Sequence, residues 1–268
     1  MLKTRVITAL FLAAGFLTVL FLLPESLVGF VFAIIAALAA WEWAGLMKPG
    51  QPNAPSRLLY AGIVFGLCVV LWAMPDGYSG MPLLLWSVSV LFWLGIVPVW
   101  LLRGWRTGVA GYGVGLILLV PTWAALVALY AHGPLVLLTV MALVWVADIA
   151  AYFTGRAFGR HKLAPAISPG KTWEGVAGAL VGVMLFGLFV GARLPIAHGL
   201  SWFSLAVFLL LFTAFSIIGD LFESLIKRQA NMKDSSQLLP GHGGILDRID
   251  SQMSPLPLAA LTLYWIEA

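Results

Sequence analysis

The chain has 268 residues, of which 62% are hydrophobic and only 10% are charged. A soluble domain carries about 25% charged residues, so this composition excludes an ordinary soluble protein and predicts an integral membrane protein. The net charge is +4. Because the basic residues cluster in short loops, they indicate membrane topology and anionic lipid or nucleotide as partners, and not nucleic acid. Cys68 is the single cysteine, which excludes an intrachain disulfide and a cysteine-based metal site.

Long apolar runs follow one another along the chain, and most have the length that crosses a hydrocarbon core of about 30 Å. The runs are continuous and do not alternate with period two, so they predict helices and not a β-barrel. We therefore predict an all-α, polytopic membrane protein with about nine transmembrane helices. The runs cover residues 6–23, 27–46, 58–74, 82–102, 109–130, 135–158, 173–191, 201–222 and, as a short final span, 255–266.

The basic residues predict which loops share a side of the membrane. Lys3 and Arg5 place the N-terminus in the cytoplasm by the positive-inside rule. Alternation of the predicted helices then puts most of the remaining basic loops on the cytoplasmic side. The helices were counted without using these charges, so the agreement supports the count. The cytoplasmic loops carry Lys48, Arg57, Arg103, Arg106 and the basic residues within 156–171 and 227–248. The opposite side receives Glu25, Asp76, His132, Arg193 and His198.

Polar chemistry is distributed unevenly along the chain. Residues 1–106 hold about four predicted helices and little polar chemistry, whereas residues 107–268 hold nearly all of it. We interpret the first part as an N-terminal transmembrane region and the second as a C-terminal catalytic region with cytoplasmic loops. No linker separates them, so we expect one integrated unit.

Acidic residues within predicted spans are candidates for function, because an ionisable group in a membrane is costly. Asp148 lies in the sixth predicted helix, one turn before Tyr152. A structural role for Asp148, paired with a neighbouring helix or with Arg156, is the alternative. Glu42 lies between two tryptophans at the end of the second helix. We interpret it as an acid at the membrane interface, and a functional role is the alternative.

The loop at residues 168–175 reads Ser-Pro-Gly-Lys-Thr-Trp-Glu-Gly. Its Gly-Lys-Thr suggests a P-loop, but the glycine which that motif requires five residues earlier is Pro165, and no strand is predicted before it, so a P-loop is excluded. The start of a helix, with free N–H groups beside Ser168 and Lys171, is still a favourable arrangement for binding phosphate. Ordinary helix capping combined with positive-inside charge is the alternative.

The eighth predicted helix ends in a polar stripe. Its members are spaced i, i+3, i+4 and i+7, so they lie on one face of the helix. Such a stripe on an apolar helix indicates a face turned into a protein cavity and away from lipid. The stripe consists of Asp220, Glu223, Ser224 and Lys227.

A charged stretch, residues 224–250, follows the stripe and contains a Gly-rich turn at 240–244. Asp247 and Asp250 lie one helical turn apart beyond that turn, and a fold-back of the chain could bring Asp247 close to Asp220. Carboxylates suit Mg²⁺, which takes one or two of them together with substrate phosphates. The residues alone therefore predict a cytoplasm-facing, metal-assisted site for a phosphorylated substrate, and we expect residues 168–171 to complete it.

This stretch resembles the signature of the phosphatidate cytidylyltransferases, also called CDP-diacylglycerol synthases. The matching residues are Ser224-x-Ile226-Lys227-Arg228, then Lys233-Asp234-x-Ser236, then Leu239-Pro240-x-His242-Gly243-Gly244-Ile245-x-Asp247-Arg248-Ile249-Asp250. The Ser-Pro-x-Lys-Thr-Trp-Glu-Gly element of the family is present at 168–175. The resemblance is specific over about the last 120 residues and generic before them.

The resemblance implies a polytopic enzyme that converts CTP and phosphatidic acid to CDP-diacylglycerol and pyrophosphate. It implies Mg²⁺ as cofactor, an associated K⁺, a homodimer and, in bacteria, the inner membrane. Asp220 and Asp247 correspond to the metal-binding aspartates of the family, and Asp148 is a further candidate ligand. Catalytic roles are expected for Asp220, Asp247, Lys227 and Arg248. Contacts with substrate or nucleotide are expected for Ser168, Lys171, Ser224, Arg228, Lys233 and His242.

Three other classes of protein would share part of these features. A transporter would have intramembrane acids, but also broken helices and often inverted repeats, whereas here the charges gather on one side. A different membrane transferase acting on a lipid phosphate or lipid alcohol would use the same chemistry, and only the signature argues against it. A scaffold protein would not need Asp220 and Asp247 in this arrangement.

Overall fold

The computed structural model describes residues 2–51, 54–74, 80–191 and 200–267. The predicted positions of Asp76, Arg193 and His198 lie outside the described residues. The helices are α1 (Leu2–Leu22), α2 (Glu25–Met47), α3 (Pro55–Ala73), α4 (Met81–Leu91), α5 (Val97–Arg103), α6 (Gly111–Ala131), α7 (Pro134–Phe158), α8 (Trp173–Gly191), α9 (Trp202–Gln229), α10 (Leu246–Ile249) and α11 (Pro255–Glu267). A π-helical turn, Phe92–Ile96, joins α4 to α5, and a short 3₁₀ helix, Gly108–Ala110, precedes α6.

The described residues contain seven helical stretches that are long and apolar enough to cross a membrane. They are α2, α3, the continuous α4–α5 stretch, α6, α7, α8 and α9, and they confirm the predicted all-α, multi-pass membrane fold. The predicted count of nine is not confirmed. In α1 the apolar segment, Val6–Leu22, is shorter than these seven. Helix α11 has 13 residues and extends over about 20 Å, less than a hydrocarbon core of about 30 Å.

Burial divides the helices into a protein core and a lipid-facing surface. Trp43, Trp93 and Phe222 are fully buried, and Phe222 on α9 packs edge-on against Trp93 with ring centroids 5.7 Å apart. Large apolar side chains such as Phe11, Leu58 and Phe203 are exposed instead, as expected where lipid would cover them. Cys68 is a free cysteine buried in this core. The core therefore fixes α9, the helix that carries the polar stripe.

The predicted loop between α7 and α8 is a β-hairpin. Strand β1 (Lys162–Ala164) pairs antiparallel with β2 (Ser168–Thr172), and β2 leads directly into α8. The backbone N–H and a ring nitrogen of His161 contact the Glu174 carboxylate, the ring nitrogen at 2.7 Å. This hairpin is a small exception to the predicted all-α fold, and it fixes the segment that contains Lys171.

Helices α7 and α8 approach closely because glycines face the contact. A Cβ atom at Gly178 would overlap the Thr154 side chain, and one at Gly182 would lie 2.8 Å from Ala150 Cβ. Small residues at such positions let membrane helices pack without a gap. The pair of helices therefore forms a rigid wall next to the hairpin.

Loops that were predicted to lie on the same side of the membrane are found at one end of the helix bundle. There, Gln229 Nε2 donates to the Trp105 carbonyl at 2.6 Å, and Thr8 Oγ1 donates to the Pro240 carbonyl at 3.1 Å. At the other end, His132 Nε2 lies 3.0 Å from Glu267 Oε2. Most of the predicted cytoplasmic loops thus lie on the same end of the protein as the signature stretch.

Contacts also cross the boundary predicted near residue 106. Trp43 Nε1 donates to the Gly111 carbonyl at 2.8 Å, and the Tyr60 hydroxyl donates to the Tyr112 carbonyl at 2.6 Å. The division into an N-terminal and a C-terminal region stays a prediction. These hydrogen bonds join residues of the one region to residues of the other.

Candidate active site

A cavity of about 440 Å³ opens between α7, the β1–β2 hairpin, α8 and α9. This volume is in the range typical of sites for small molecules and cofactors. Small and apolar side chains, among them Ala147, Leu163 and Ile217, line part of it. Its polar lining is Asp148, Tyr152, Arg156, Ser168, Lys171, Thr172 and Asp220. The cavity therefore combines charged groups with an apolar wall.

Lys171 and Asp220 form an ion pair at this cavity, with Lys171 Nζ 2.7 Å from Asp220 Oδ2. Both side chains are partly exposed, so they are accessible from the cavity. Ser224, one turn further along α9, donates its hydroxyl to Asp220 Oδ1 at 3.3 Å. The ion pair joins the hairpin to α9, which is the partnership expected between residues 168–171 and the charged stretch.

Two further aspartates, Asp148 and Asp250, contact the same hydroxyl group, that of Ser251. The Ser251 hydroxyl lies 3.0 Å from Asp148 Oδ2 on α7 and 3.4 Å from Asp250 Oδ1. Gly219 permits this approach, since a Cβ atom there would lie 2.8 Å from the Asp250 carbonyl oxygen. Burial, followed by the negative charge of Asp220, raises the pKa of Asp250 to about 7. Asp148 and Asp250 are therefore joined through Ser251 near Asp220, and Asp250 ionises less readily than an exposed aspartate.

Arg156 does not neutralise this acidic group through a hydrogen bond to Asp148. Its Nη1 donates to the Tyr152 hydroxyl at 2.8 Å, one turn earlier on α7. Asp148 instead takes its hydrogen bond from the segment after α10. Arg156 is thus available at the cavity for an anionic ligand.

Lys227 is a buried cation between two buried carboxylates. Its Nζ forms an ion pair with Glu223, one turn earlier on α9, and another with Asp247 Oδ1 at 2.7 Å. Glu223 is fully buried and the Asp247 side chain is 5% exposed. Removing one partner of such a network leaves an uncompensated buried charge. The chain therefore folds back after α9, and Lys227 fixes α10 against α9. Unlike Asp220, however, Asp247 is not among the described residues that line the cavity.

Asp247 also organises the backbone before it. Its Oδ2 accepts hydrogen bonds from the Ser235 N–H at 2.8 Å, the Ser235 hydroxyl at 2.9 Å and the Gly244 N–H at 2.8 Å. Burial opposes ionisation, but the hydrogen bonds from Lys227, Gly244 and Ser235 outweigh it and lower the pKa of Asp247 below its ordinary value. Asp247 thus holds the two ends of the segment 235–244 together.

The Gly-rich turn requires its glycines. The His242 N–H donates to the Leu239 carbonyl at 2.9 Å, and Gly241 between them has φ +76°. Pro240 followed by a glycine at positive φ is the pattern of a type II turn. Gly243 has φ +79°, and a Cβ atom there would lie 2.7 Å from Asp247 Oδ2. Any side chain at position 243 would therefore disturb Asp247.

Four further predicted site residues, one of them expected to be catalytic, also lie away from the cavity. Arg228, Lys233 and Arg248 are exposed and His242 is partly buried, and none is among the described residues that line the 440 Å³ cavity. Arg228 Nε donates to the Ile167 carbonyl at 3.4 Å, next to the hairpin strand β2. A ligand that reached these residues would have to extend beyond the cavity.

The carboxylates of the site fit a hard divalent cation. In the described part of the chain, no three His, Cys, Asp or Glu side chains converge on a point that could hold a metal ion. Mg²⁺ nevertheless needs only one or two carboxylates, with water and substrate phosphates as its other ligands. Asp148 and Asp220 both line the cavity. Asp247 Oδ1 accepts a hydrogen bond from Lys227 and, as a carboxylate oxygen, has a second acceptor position.

The sequence interpretation missed Glu42, Asp250 and Ser251 as parts of this site. Glu42 is fully buried and accepts four hydrogen bonds from the segment 235–246. Its interpretation as an interfacial acid was wrong, because that segment folds over the end of α2 and covers it. The signal that could have found Glu42 is an acid within an otherwise apolar span.

The whole chain is similar to known proteins. The model of the Cytidylyltransferase family matches residues 3–266. A phosphatidate cytidylyltransferase of Pseudomonas aeruginosa is 43% identical over 276 residues, which cover 98% of this chain and 97% of the relative. One of Haemophilus influenzae is 33% identical, with 99% of this chain and 100% of the relative covered. One of Thermotoga maritima is 34% identical, with 99% and 97% covered. The similarity thus extends well beyond the signature, and the chain belongs to the cytidylyltransferase family.

Proposed function

We propose that the protein is a phosphatidate cytidylyltransferase, which converts CTP and phosphatidic acid to CDP-diacylglycerol and pyrophosphate. The activity is inferred from relatives of that name that match nearly the whole chain. The observation that supports an active site at this position is the Lys171–Asp220 ion pair at a cavity between apolar helices. In this pair, Lys171 would bind a phosphate group of the substrate, and Asp220 would bind a metal ion.

The reaction makes particular demands on the protein. An oxygen of the phosphatidate phosphate attacks the α-phosphorus of CTP, and the bond from that phosphorus to the bridging oxygen of pyrophosphate breaks. A phosphate dianion is already a competent nucleophile, so no strong general base is needed. Two anions must nevertheless meet, and positioning and neutralisation of charge are the main contributions of a protein to such transfers.

Residues of α7, of the hairpin and of the segment from α9 to α10 are suited to these tasks. Lys171 and Arg156 present positive charge in the cavity, and the Ser168 hydroxyl on the same strand as Lys171 can donate to a phosphate oxygen. Arg228 and Arg248 are exposed and can contact the parts of CTP that extend outside the cavity. Lys233 and His242 stay predicted contacts of the same kind. Lys227 would act indirectly, by holding Asp247 in place, because its ammonium group is already paired with Glu223 and Asp247.

Mg²⁺ is the proposed cofactor. Asp220 would hold it together with Asp247, and Asp148 is the third candidate ligand. When bound, it would supply positive charge beside the triphosphate oxygens of CTP. The association with K⁺ stays a prediction from the family resemblance.

The lipid substrate can reach the cavity from the membrane. Tyr152 on α7 lines the cavity and is exposed, and its neighbours Ile149 and Phe153 are exposed apolar residues on the same helix. A phosphate headgroup can therefore enter between charged residues while its acyl chains stay in lipid. This geometry suits an amphipathic substrate better than a water-soluble one.

We further propose that the protein is located in a bacterial inner membrane, with the site on the cytoplasmic side. The basic loops around the signature stretch support this orientation by the positive-inside rule, and CTP would arrive from the cytoplasm. The relatives from Pseudomonas aeruginosa and Haemophilus influenzae are bacterial. A homodimer is proposed from the family resemblance.

The proposal is tested with detergent-purified protein, CTP labelled at its α-phosphate, phosphatidic acid and Mg²⁺. We expect labelled CDP-lipid together with unlabelled pyrophosphate, and loss of both in Asp220→Asn. Diacylglycerol in place of phosphatidic acid is the matched control and should give no product. Labelled product from diacylglycerol, or no CTP-dependent product from the wild type, would exclude the assignment.

A further inference from the structure

Glu42 connects the N-terminal half of the chain to the signature stretch through four hydrogen bonds. Its Oε1 accepts from the Ser236 hydroxyl at 2.5 Å and the Ile245 N–H at 3.0 Å. Its Oε2 accepts from the Ser235 hydroxyl at 3.1 Å and the Leu246 N–H at 2.6 Å. One side chain on α2 therefore contacts both ends of the segment that contains the Gly-rich turn.

Glu42 and Asp247 act on this segment together. The Ser235 hydroxyl lies 3.1 Å from Glu42 Oε2 and 2.9 Å from Asp247 Oδ2. Gly244 lies between the same groups, since a Cβ atom there would overlap both the Ser235 hydroxyl and the Glu42 carboxylate. The two carboxylates thus hold the segment 235–246 from opposite directions and leave little space for another conformation.

The surroundings of Glu42 oppose any exchange of its partners for water. Glu42 is fully buried, and Arg57, which interacts electrostatically with it, is 7% exposed. The Arg57 guanidinium stacks on Trp41 at 3.6 Å and its Nε donates to the Trp41 carbonyl. A buried acceptor that loses its donors is costly, because no other group then solvates it. The arrangement therefore selects one conformation of the segment.

We propose that Glu42 is a positioning residue for the reaction, and this rests on the proposed function. It fixes the segment 235–246, and through it the start of α10, so that Asp247 pairs with Lys227 and the Asp250 backbone packs on Gly219, next to Asp220. Glu42 is not among the described residues that line the cavity, and it acts through the segment without touching substrate.

The test compares Glu42→Gln with Glu25→Gln. Both changes replace a carboxylate on α2 by an amide of the same size, but Glu25 is exposed at the far end of the helix. The amide of Glu42→Gln has an N–H₂ group where the native residue has an acceptor, so two of the four bonds are lost. For Glu42→Gln we expect kcat to fall at least tenfold and KM for CTP to change less than threefold. For Glu25→Gln we expect wild-type values.

A second measurement separates positioning from general stability. Cys68 is the only cysteine and is buried, so Gln237→Cys in a Cys68→Ala background gives one exposed attachment point for a spin label within the segment. We expect Glu42→Gln to increase the mobility of this label in the electron paramagnetic resonance spectrum, and Glu25→Gln to leave it unchanged. A purely structural acid would lower yield or melting temperature without this local change.

The outcomes decide whether Glu42 positions the segment for the reaction or only stabilises the fold. Wild-type kcat in Glu42→Gln, or an unchanged label spectrum in it, overturns the proposal. If Glu42→Gln does not fold, Ser236→Ala decides. It removes one of the four bonds to Glu42 and also the bond from the Leu238 N–H to the Ser236 hydroxyl. A two- to fivefold lower kcat together with a more mobile label supports positioning, and a wild-type kcat overturns it. If the wild type forms no CDP-lipid, the proposed function fails, whereas the label spectra still report whether Glu42 fixes the segment.

Discussion

Lys227 Nζ lies 2.7 Å from Asp247 Oδ1, and this ion pair joins the C-terminal end of α9 to the short helix α10. The same ammonium group also pairs with Glu223. The charged stretch therefore does not lie free on the surface. It is folded back on the helix before it, and its most buried cation serves the structure of the site.

Lys227→Met should lower stability, because it leaves two buried carboxylates without their cation. Breaking a buried ion pair costs about 3–5 kcal/mol, which corresponds to a drop of about 5–15 °C in melting temperature for a protein of this size. Tryptophan fluorescence during heating in detergent measures it. Lys227→Met/Glu223→Gln should recover part of the loss, and a melting temperature equal to that of the wild type in the single variant would contradict the buried network.

Lys171→Ala should reduce kcat/KM for CTP by about 100-fold or more, because it removes the cation that pairs with Asp220 at the cavity. Charge-assisted contacts to phosphate are among the stronger hydrogen bonds. Steady-state kinetics over a range of CTP concentrations measures it. Lys162→Ala changes an exposed lysine on the other strand of the hairpin and should leave kcat/KM unchanged. Equal losses in both variants would show that the positive charge of the hairpin as a whole, and not the position of Lys171, determines CTP use.

Gly243→Ala should inactivate the protein, because φ at this position is +79° and the added Cβ would lie 2.7 Å from Asp247 Oδ2. Gly66→Ala is the matched control, since a Cβ atom at Gly66 would meet no other atom within 4 Å. The same radiolabel assay measures both. Activity of Gly243→Ala near that of Gly66→Ala would show that the turn tolerates another conformation.

Asp220→Asn should weaken binding of Mn²⁺, used as a paramagnetic substitute for Mg²⁺, by about 10- to 100-fold, an effect of the size seen when a group at a metal site is removed. The electron paramagnetic resonance signal of free Mn²⁺ measures binding to the protein in the presence of CTP. Glu267→Gln, at the other end of the bundle beside His132, should bind as the wild type does. The same titration of Asp247→Asn and Asp148→Asn then decides which of the two shares the metal with Asp220.

Those parts of the fold that depend on local composition could be predicted from the sequence. Continuous apolar runs identify helices, and the i, i+3, i+4, i+7 spacing of the α9 stripe placed Glu223 and Lys227 on one face, where they form an ion pair. The number of spans was less certain, because hydropathy does not distinguish a full span from a 13-residue helix such as α11 that packs against other helices.

Other features depend on contacts between distant residues, and no local pattern encodes them. Glu42 and the Leu246 N–H are 204 positions apart, so the acid looked like an isolated charge at the membrane interface. The β1–β2 hairpin was missed because strands of three and five residues are too short to show a period-two pattern. Asp250 lay within the recognised signature, but its closeness to Asp220 and Asp148 depends on how the chain folds back.

The four hydrogen bonds of Glu42 have a consequence for how the protein is made. Helix α2 leaves the ribosome about 200 residues before the backbone groups that will satisfy its carboxylate. Until then, the helix carries an acid that disfavours stable insertion of its end into the bilayer. Assembly of the N-terminal helices can therefore be completed only when the last part of the chain arrives. A polypeptide truncated before Ile245 would lack both backbone N–H groups that donate to this carboxylate.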